Sequence, residues 1–396
     1  MWNKPWTYRE GTAIVAGLLI VGAMLQLTVG PIDWNLMAWP VNIIVAMVLT
    51  GAVVTGNVLR KRSYLLHFAS SRHAAVPVLI VTAVATAIYG VTNMRETLSC
   101  WPFVLLYLWM DIIVGLVTFK HLKPSLRNLC ITASHAGLFI ALTAATLGNA
   151  DMQRLKMQVN TDQPEWRATD DNDKVHELDL AILLNHFTID EYPPKLVIID
   201  NETGKTLPTD KPQSLVLEDS VTEDDIMGYH IKTKRLYDYA AEVASQDTVN
   251  YVAWGYNGAT TAALIDVTSG GKTLASNEWV SNGSFMFPYK GLRLNDKHSL
   301  VMPEREPKRY ASDVTVLTKS GLKQQAVIEV NKPHEIEGWK IYQLSYDETK
   351  GRWSNTSVLE LVKDPWLPCV YTGIGLLIAG AILMFLTAGR KEENSK

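Results

Sequence analysis

The sequence predicts a polytopic α-helical membrane protein of six transmembrane helices, with a large mainly-β external domain inserted before the last helix. Three observations carry that expectation. The mean hydropathy of +0.04 is an average over unlike parts: residues before about 150 are mostly apolar, 151–364 are polar, and the end is apolar again. Six segments reach the roughly 20 residues needed to cross ~30 Å of hydrocarbon. The polar stretch then alternates apolar and polar residues with turn signals between the runs, the pattern of half-buried strands.

Taken in order, the spans fall near Gly11–Val29, Met37–Val58, Ala74–Val91, Cys100–Phe119, Asn128–Leu147 and Pro365–Ala388. The third is rich in Ala and Thr, and its flanks support it. Basic residues set the orientation. Lys4 and Arg9 precede the first span; Arg60, Lys61, Arg62 and Arg72 fill the second loop; Lys120, Lys123 and Arg127 fill the fourth; Arg390 and Lys391 follow the last. The first loop has none and the third has only Arg95. Both termini are therefore expected in the cytoplasm, with the polar domain on the far side. Trp34, Trp39, Trp101, Tyr107, Trp109 and Trp366 cluster near the span ends, as interfacial anchors do. The first apolar run is too long for a cleavable signal peptide and lacks a small-residue cleavage site.

In the polar domain, His176–Ile189 alternates, and Leu196–Ile199 and Ser214–Glu218 are short strands. Val314–Leu317 and Ala326–Val330 flank a turn at Ser320-Gly321, while Trp339–Tyr346 and Thr356–Val362 flank Asp347–Gly351. Asp224–Ser245 has helical spacing through Ile226, Tyr229, Leu236, Tyr239 and Val243, which predicts a helix covering a sheet. Ser269–Gly271 reads as an ordinary turn. A sandwich or open barrel fits this pattern.

Composition excludes several classes. A net charge of −3, without a basic patch interleaved with aromatics, argues against nucleic acid. The three cysteines, Cys100, Cys130 and Cys369, are far apart, which excludes a Cys-x-x-Cys redox pair and a cysteine-bound zinc or iron–sulfur site. No nucleotide-binding glycine loop, Gly-x-Ser-x-Gly elbow or His-Glu-x-x-His motif occurs.

Of nine histidines, His67, His73 and His121 lie in or beside basic loops, where solvent or headgroups serve them. His176, His186, His230, His298 and His334 are scattered through the polar domain without ligand spacing. His135 differs, because it sits inside a span, roughly 10 Å from the helix start. An intramembrane imidazole is costly and marks a site. Ala133, Ser134, Ala136 and Gly137 beside it would let a large planar group or another helix approach closely. A hydrogen bond to a neighbouring helix and axial ligation of haem iron are the two roles open to it. Asp111, the one acid well inside a span, pairs with a polar neighbour or faces a cavity. Asp364 is placed to cap the last helix, whose first turn carries Pro365.

Specific segments resemble the ResB/CcsB family of cytochrome c biogenesis proteins. His135-Ala-Gly-Leu-Phe with Gly148 resembles that family's transmembrane histidine helix. Val330-Asn-Lys-Pro, Gly338-Trp-Lys-Ile-Tyr-Gln-Leu-Ser-Tyr-Asp347 and Lys363-Asp-Pro-Trp-Leu-Pro-Cys-Val-Tyr-Thr-Gly373 resemble its C-terminal signature, and Phe187-Thr-Ile-Asp-Glu-Tyr-Pro193 an early strand. Family members commonly have about four spans, so residues 1–60 look like an accessory pair. Residues 61–150 carry the His135 helix, 151–364 a ResB-like domain, and 365–396 the last helix and tail.

The resemblance implies a subunit of a system II complex in the bacterial inner membrane, with the large domain periplasmic. A CcsA/ResC-like membrane subunit, apocytochrome c, haem and membrane lipid are the implied partners. Haem b is implied as the transported substrate, with His135 as an axial ligand to its iron and Gly137 allowing close approach. One histidine supplies only one axial position, so the second axial histidine would come from the partner; this chain also lacks the Trp-rich external loop of that subunit. No catalytic residue is expected in this chain, which would be a non-catalytic or co-catalytic subunit of a haem lyase. A transporter or a sensor with an external ligand-binding β-domain is the alternative from another class, and both would be colourless.

Overall fold

The structure, a computed structural model, describes residues 2–92, 99–122, 125–218, 221–245 and 248–393. Arg95 and Lys123, two of the residues used above for orientation, lie outside the described residues. The chain forms two compact units, Met1–Gln153 with Lys363–Lys396, and Arg154–Val362.

The first unit is helical: α1 (Tyr8–Val29), α2 (Val41–Leu59), the short α3 (Tyr64–Ala69), α4 (Arg72–Thr92), α5 (Trp101–Lys120), α6 (Leu126–Gly148) and, after the β-unit in sequence, α7 (Leu367–Glu393). Five of these, α1, α2, α5, α6 and α7, are long and apolar enough to cross a membrane. The remaining expected span is α4, whose described apolar part, Arg72–Ile88, is shorter. Local chemistry sets the starts. Thr7 and Glu10 make a capping box on α1, with the Glu10 carboxylate accepting from the Thr7 N–H at 2.6 Å. Asp364 Oδ1 accepts from the N–H groups of Trp366 and Leu367, both at 3.0 Å, and so caps α7 as its sequence predicts.

Small residues let these helices approach. A Cβ on Gly11 would lie 2.2 Å from the His73 carbonyl oxygen, the group that Pro77, lacking an N–H, leaves without its helical donor. On Gly22 it would meet the Pro102 backbone at 2.5 Å, and on Gly115 the Val53 side chain at 2.8 Å. So α1 packs on α4 and α5, and α2 on α5, around Val15, Val53, Val78, Leu106, Ile113 and Leu116.

The tightest seam joins α6 and α7. Added Cβ atoms on Gly137, Gly373 and Gly380 would meet the opposite backbone at 2.4, 2.6 and 2.4 Å, and on Gly148 the Trp366 ring system. As numbers rise along α7 their partners fall along α6, so the two run antiparallel. The contacting glycines of α7 are one heptad apart, the spacing that keeps a seam on one face.

The second unit is β-rich. Its strands are β1 (Gln153–Asn160), β2 (Glu165–Thr169), β3 (Val175–Glu191), β4 (Lys195–Asp200), β5 (Ser214–Val216), β6 (Glu223–Ile226), β7 (Tyr229–Ser245), β8 (Thr248–Ala253) and β9 (Thr260–Ser269). They continue as β10 (Lys272–Ser281), β11 (Leu292–Arg293), β12 (His298–Val301), β13 (Pro307–Thr318), β14 (Lys323–Glu329), β15 (His334–Ile336), β16 (Trp339–Tyr346) and β17 (Thr356–Lys363). One sheet of eight strands runs β14-β13-β3-β2-β1-β17-β16-β15. The expected hairpin at Ser320-Gly321 and the strands on either side of Asp347–Gly351 are its β13–β14 and β16–β17.

Between β3 and β13 the chain inserts a sandwich. A sheet ordered β11-β12-β4-β5 faces one ordered β10-β9-β7-β6, with β8 beside β7. Leu196, Ile198 and Leu300 meet Ile231, Ile265, Val267 and Val280 in its core. Gly270 and Gly271, both at positive φ (56° and 77°), make the two-residue β9–β10 turn.

One expectation is overturned. Asp224–Ser245 is not a helix: it is strand β6, a turn at Met227-Gly228, and the long strand β7. The β7–β9 pairing slips between Thr233 and Arg235 and again between Tyr237 and Ala240. Each slip shifts the in–out phase and stretches the apolar spacing from two to the three or four that imitates a helix. Tyr239 and Val243, counted toward the helical stripe, are in fact exposed.

Candidate functional site

His135 lies in the middle of α6 and is half-buried. Its Nδ1 is 2.9 Å from the carbonyl oxygen of Ile131, one turn earlier. A carbonyl can only accept, so Nδ1 carries the proton and donates. The Nε2 lone pair is then directed away from the backbone. That is the tautomer typical of a metal-binding imidazole, whose other ring nitrogen donates to a carbonyl oxygen.

The neighbours of His135 follow from helix register. Tyr107 shares a side-chain hydrogen bond with Thr146, the Asp111 carboxylate accepts from Thr143 Oγ1 at 2.8 Å, and Gly115 receives Phe139, so α5 and α6 run antiparallel in even steps. One more turn puts Phe119 level with His135, and His121 roughly 3 Å beyond. Along α2, Asn42 donates to the Leu147 carbonyl and Val53 shares Gly115 with Phe139. The same stepping brings Asn57, whose buried Oδ1 has no hydrogen-bond partner among the described residues, to the level of His135.

His121, taken from sequence as a solvated loop residue, is half-buried at the end of α5. Burial, followed by the nearby charges of Lys120, His135 and Arg60, pushes its imidazole below the usual histidine range, against a hydrogen bond with Asn128. Among the described residues no carboxylate pairs with Arg60, Lys120 or His121, and Lys120 Nζ donates to the Ser70 carbonyl at 2.9 Å.

Gly137 faces α7 rather than open space: its missing Cβ makes room for the backbone at Gly373 and Leu377. Asp111 is 4% exposed; its Oδ2 accepts from Thr143, the pairing with a polar neighbour that is one of the two options its sequence leaves open, while its Oδ1 has no partner among the described residues. Among the described residues no three His, Cys, Asp or Glu side chains gather as a metal set.

Asp151, read from sequence merely as the point where the chain turns polar, is a hub. Its Oδ1 accepts from the Trp39 N–H at 2.7 Å; its Oδ2 accepts from Asn42 Nδ2 at 2.7 Å and Trp366 Nε1 at 2.8 Å. Burial pushes its carboxyl up, but the hydrogen bonds from Trp39, Trp366 and Asn42 outweigh it and hold the group below the usual carboxylate range. Trp101 likewise donates its indole N–H to the Gly30 carbonyl at 2.9 Å. Both tryptophans, expected as interfacial anchors, thus bond within the protein.

In the β-unit the segments that carry the resemblance meet. Phe187 of β3 stacks on Tyr346 of β16 at 5.1 Å, and Tyr346 also contacts Tyr310 at 5.3 Å. Gln343 donates to the Ser345 carbonyl and to Ser357, both at 2.9 Å, closing a buried network with Ser312. Beside them Glu191 lies between two half-buried guanidinium groups, Arg305 at 3.4 Å and Arg352 at 3.2 Å. These residues do packing work. Three of the five histidines here are engaged elsewhere: His176 with Asp170 (2.9 Å), His230 with Asp225 (3.0 Å) and His298 with Tyr229 (3.0 Å); the Nε2 of His334 is buried without a hydrogen-bond partner among the described residues.

A family model described as the ResB-like family matches residues 122–356, which take in α6 and nearly all of the β-unit. No curated protein matches the chain. Among solved structures the chain is similar, at 11% identity and a TM-score of 0.23, to one titled Cytochrome c Heme Lyase CcmF. That alignment covers 96% of this chain and 46% of that one, so the chain spans less than half its length.

Proposed function

This chain belongs to the ResB-like family, and from that premise we propose that it is a membrane subunit of a cytochrome c biogenesis complex that holds haem through His135. The observation that supports this most is the His135–Ile131 bond, which fixes the proton on Nδ1 and leaves Nε2 free to bind iron. In this reading α4 is a sixth span, both termini are cytoplasmic, and the β-unit lies outside the bacterial inner membrane. Haem b is the cargo. A CcsA/ResC-like subunit supplies the opposite axial histidine, and apocytochrome c receives the haem outside the membrane.

The chain's own part is binding and presentation. Donation to Ile131 orients the imidazole, and the Gly137–α7 contact fixes the height and rotation of its helix. When bound, the haem supplies the vinyl groups that form thioether bonds with apocytochrome cysteines; nothing in this chain's side chains performs that step. The test is haem content of the co-expressed, detergent-purified complex. His135→Gly is expected to lower the Soret absorbance severalfold, and added imidazole to restore it in part by filling the vacated position. Unchanged haem content removes His135 from the role.

A further inference from the structure

The end of the helical unit where α2 and α5 finish and α6 begins gathers two cations and an imidazole, with no carboxylate paired to them among the described residues. Arg60 closes α2, Lys120 and His121 close α5, and all three are half-buried. Lys61 and Arg62, their neighbours in sequence, are exposed and read as ordinary topology signals. Partial burial is what sets the first three apart, since it costs a cation solvation that a surface lysine keeps. The α2 and α5 carboxyl ends offer about half a negative charge each. Arg60 and Lys120 carry one positive charge apiece, so an excess of about one remains, and no described carboxylate cancels it. Helix register puts this cluster within about a turn of the level of His135.

We propose that Arg60, Lys120 and His121 form a carboxylate-binding subsite that takes the propionate groups of the porphyrin whose iron His135 ligates. The assignment rests on the haem reading above and deepens it, because it names how an amphiphilic dianion is oriented. The ring lies along the apolar helices and its acid edge points to the cation cluster. Arg and Lys pair with carboxylates through charge-assisted hydrogen bonds, and a half-buried setting strengthens them. An anionic lipid headgroup offers the same chemistry, so the test separates the two sources.

The probes are metal-free protoporphyrin and its dimethyl ester, titrated by fluorescence into the full chain in phosphatidylcholine nanodiscs, with empty discs as the partition control. Lacking iron, these probes do not use His135, so the subsite is judged apart from the ligand. The diacid is expected to bind at least about tenfold tighter than the diester, worth ~1.4 kcal/mol, in the wild-type chain and in His135→Gly alike. Arg60→Gln with Lys120→Gln is expected to erase that preference, while the charge-keeping pair Arg60→Lys with Lys120→Arg retains it and shows that the fold survives. Equal binding of diacid and diester, or a preference unchanged in the Gln pair, overturns the proposal. Loss of the preference once phosphatidylglycerol is added to the discs also overturns it, by assigning the cluster to a lipid headgroup.

Discussion

Replacing Asp151 by Ala removes three hydrogen bonds at once, to Trp39 N, Asn42 Nδ2 and Trp366 Nε1 at 2.7, 2.7 and 2.8 Å. Those donors belong to the start of α2 and the start of α7, while Asp151 follows α6, so one carboxylate joins three helices. A hydrogen bond to a charged group contributes about 1.5–3 kcal/mol. The site is partly exposed and water can serve the freed donors, so the low end applies with a further discount, giving about 3 kcal/mol for Asp151→Ala. Asp151→Asn keeps one acceptor oxygen and is expected to cost about half as much. The assay is unfolding of the full chain in detergent, followed by helical circular dichroism. Trp366→Phe serves as the second arm of a double-mutant cycle. A coupling of about 1 kcal/mol between Asp151→Asn and Trp366→Phe is expected. Additive effects, or a loss below about 1 kcal/mol for Asp151→Ala, would refute the three-helix clamp.

The same group sets a pH dependence. Its folded-state pKa lies below the unfolded value of about 3.9, so its stabilisation is complete above that value and is lost as pH falls through the folded pKa. Asp151→Asn should therefore show a flatter acid limb than wild type, and an identical limb contradicts the assignment. Gly380→Leu drives a side chain into the Ser134 backbone, where even a Cβ would sit at 2.4 Å. It is expected to cost about 3 kcal/mol or more and to lower haem content by displacing α6; a wild-type melting curve would count against the seam. Arg352→Ala leaves Glu191 with Arg305 alone and removes the cation from the Tyr239 and Trp353 rings. Faster proteolysis of the β-unit is expected, with Arg352→Lys restoring it poorly because lysine lacks the planar fork. Truncating residues 1–58 uncovers Gly115 and Leu116, against which Val53 and Gly56 now pack. The shortened chain is expected to melt at least several degrees lower even if it still binds haem.

What could be read from the sequence was local. The helices stand where runs of apolar residues put them, and Asp364 caps α7 through N–H groups two and three residues away. The strand β3 keeps a clear alternation through Leu178, Leu180, Ile182 and Leu184, and so it was legible. In β7 the slips near Arg235 and Ala240 break that alternation, and a bulge leaves no mark in a single sequence. The Asp151 clamp was hidden for a different reason. Its partners lie 112, 109 and 215 residues away, and long-range hydrogen bonds have no spacing rule. Gly137 was legible as a place of close approach; that the approaching body is α7 depends on a helix that arrives after the whole β-unit. His121 looked like one more loop histidine served by solvent or headgroups, because its neighbours Arg60 and His135 converge on it only in three dimensions.

Whether His135 ligates iron is tested most directly by exchanging the ligand rather than deleting it. His135→Cys offers a sulfur donor at the same position on α6, and thiolate ligation changes the optical spectrum of haem in a recognisable way. The co-expressed complex carrying His135→Cys is expected to retain pigment with a displaced Soret band and altered low-temperature electron paramagnetic resonance. A spectrum identical to wild type in both measurements would contradict ligation by this imidazole.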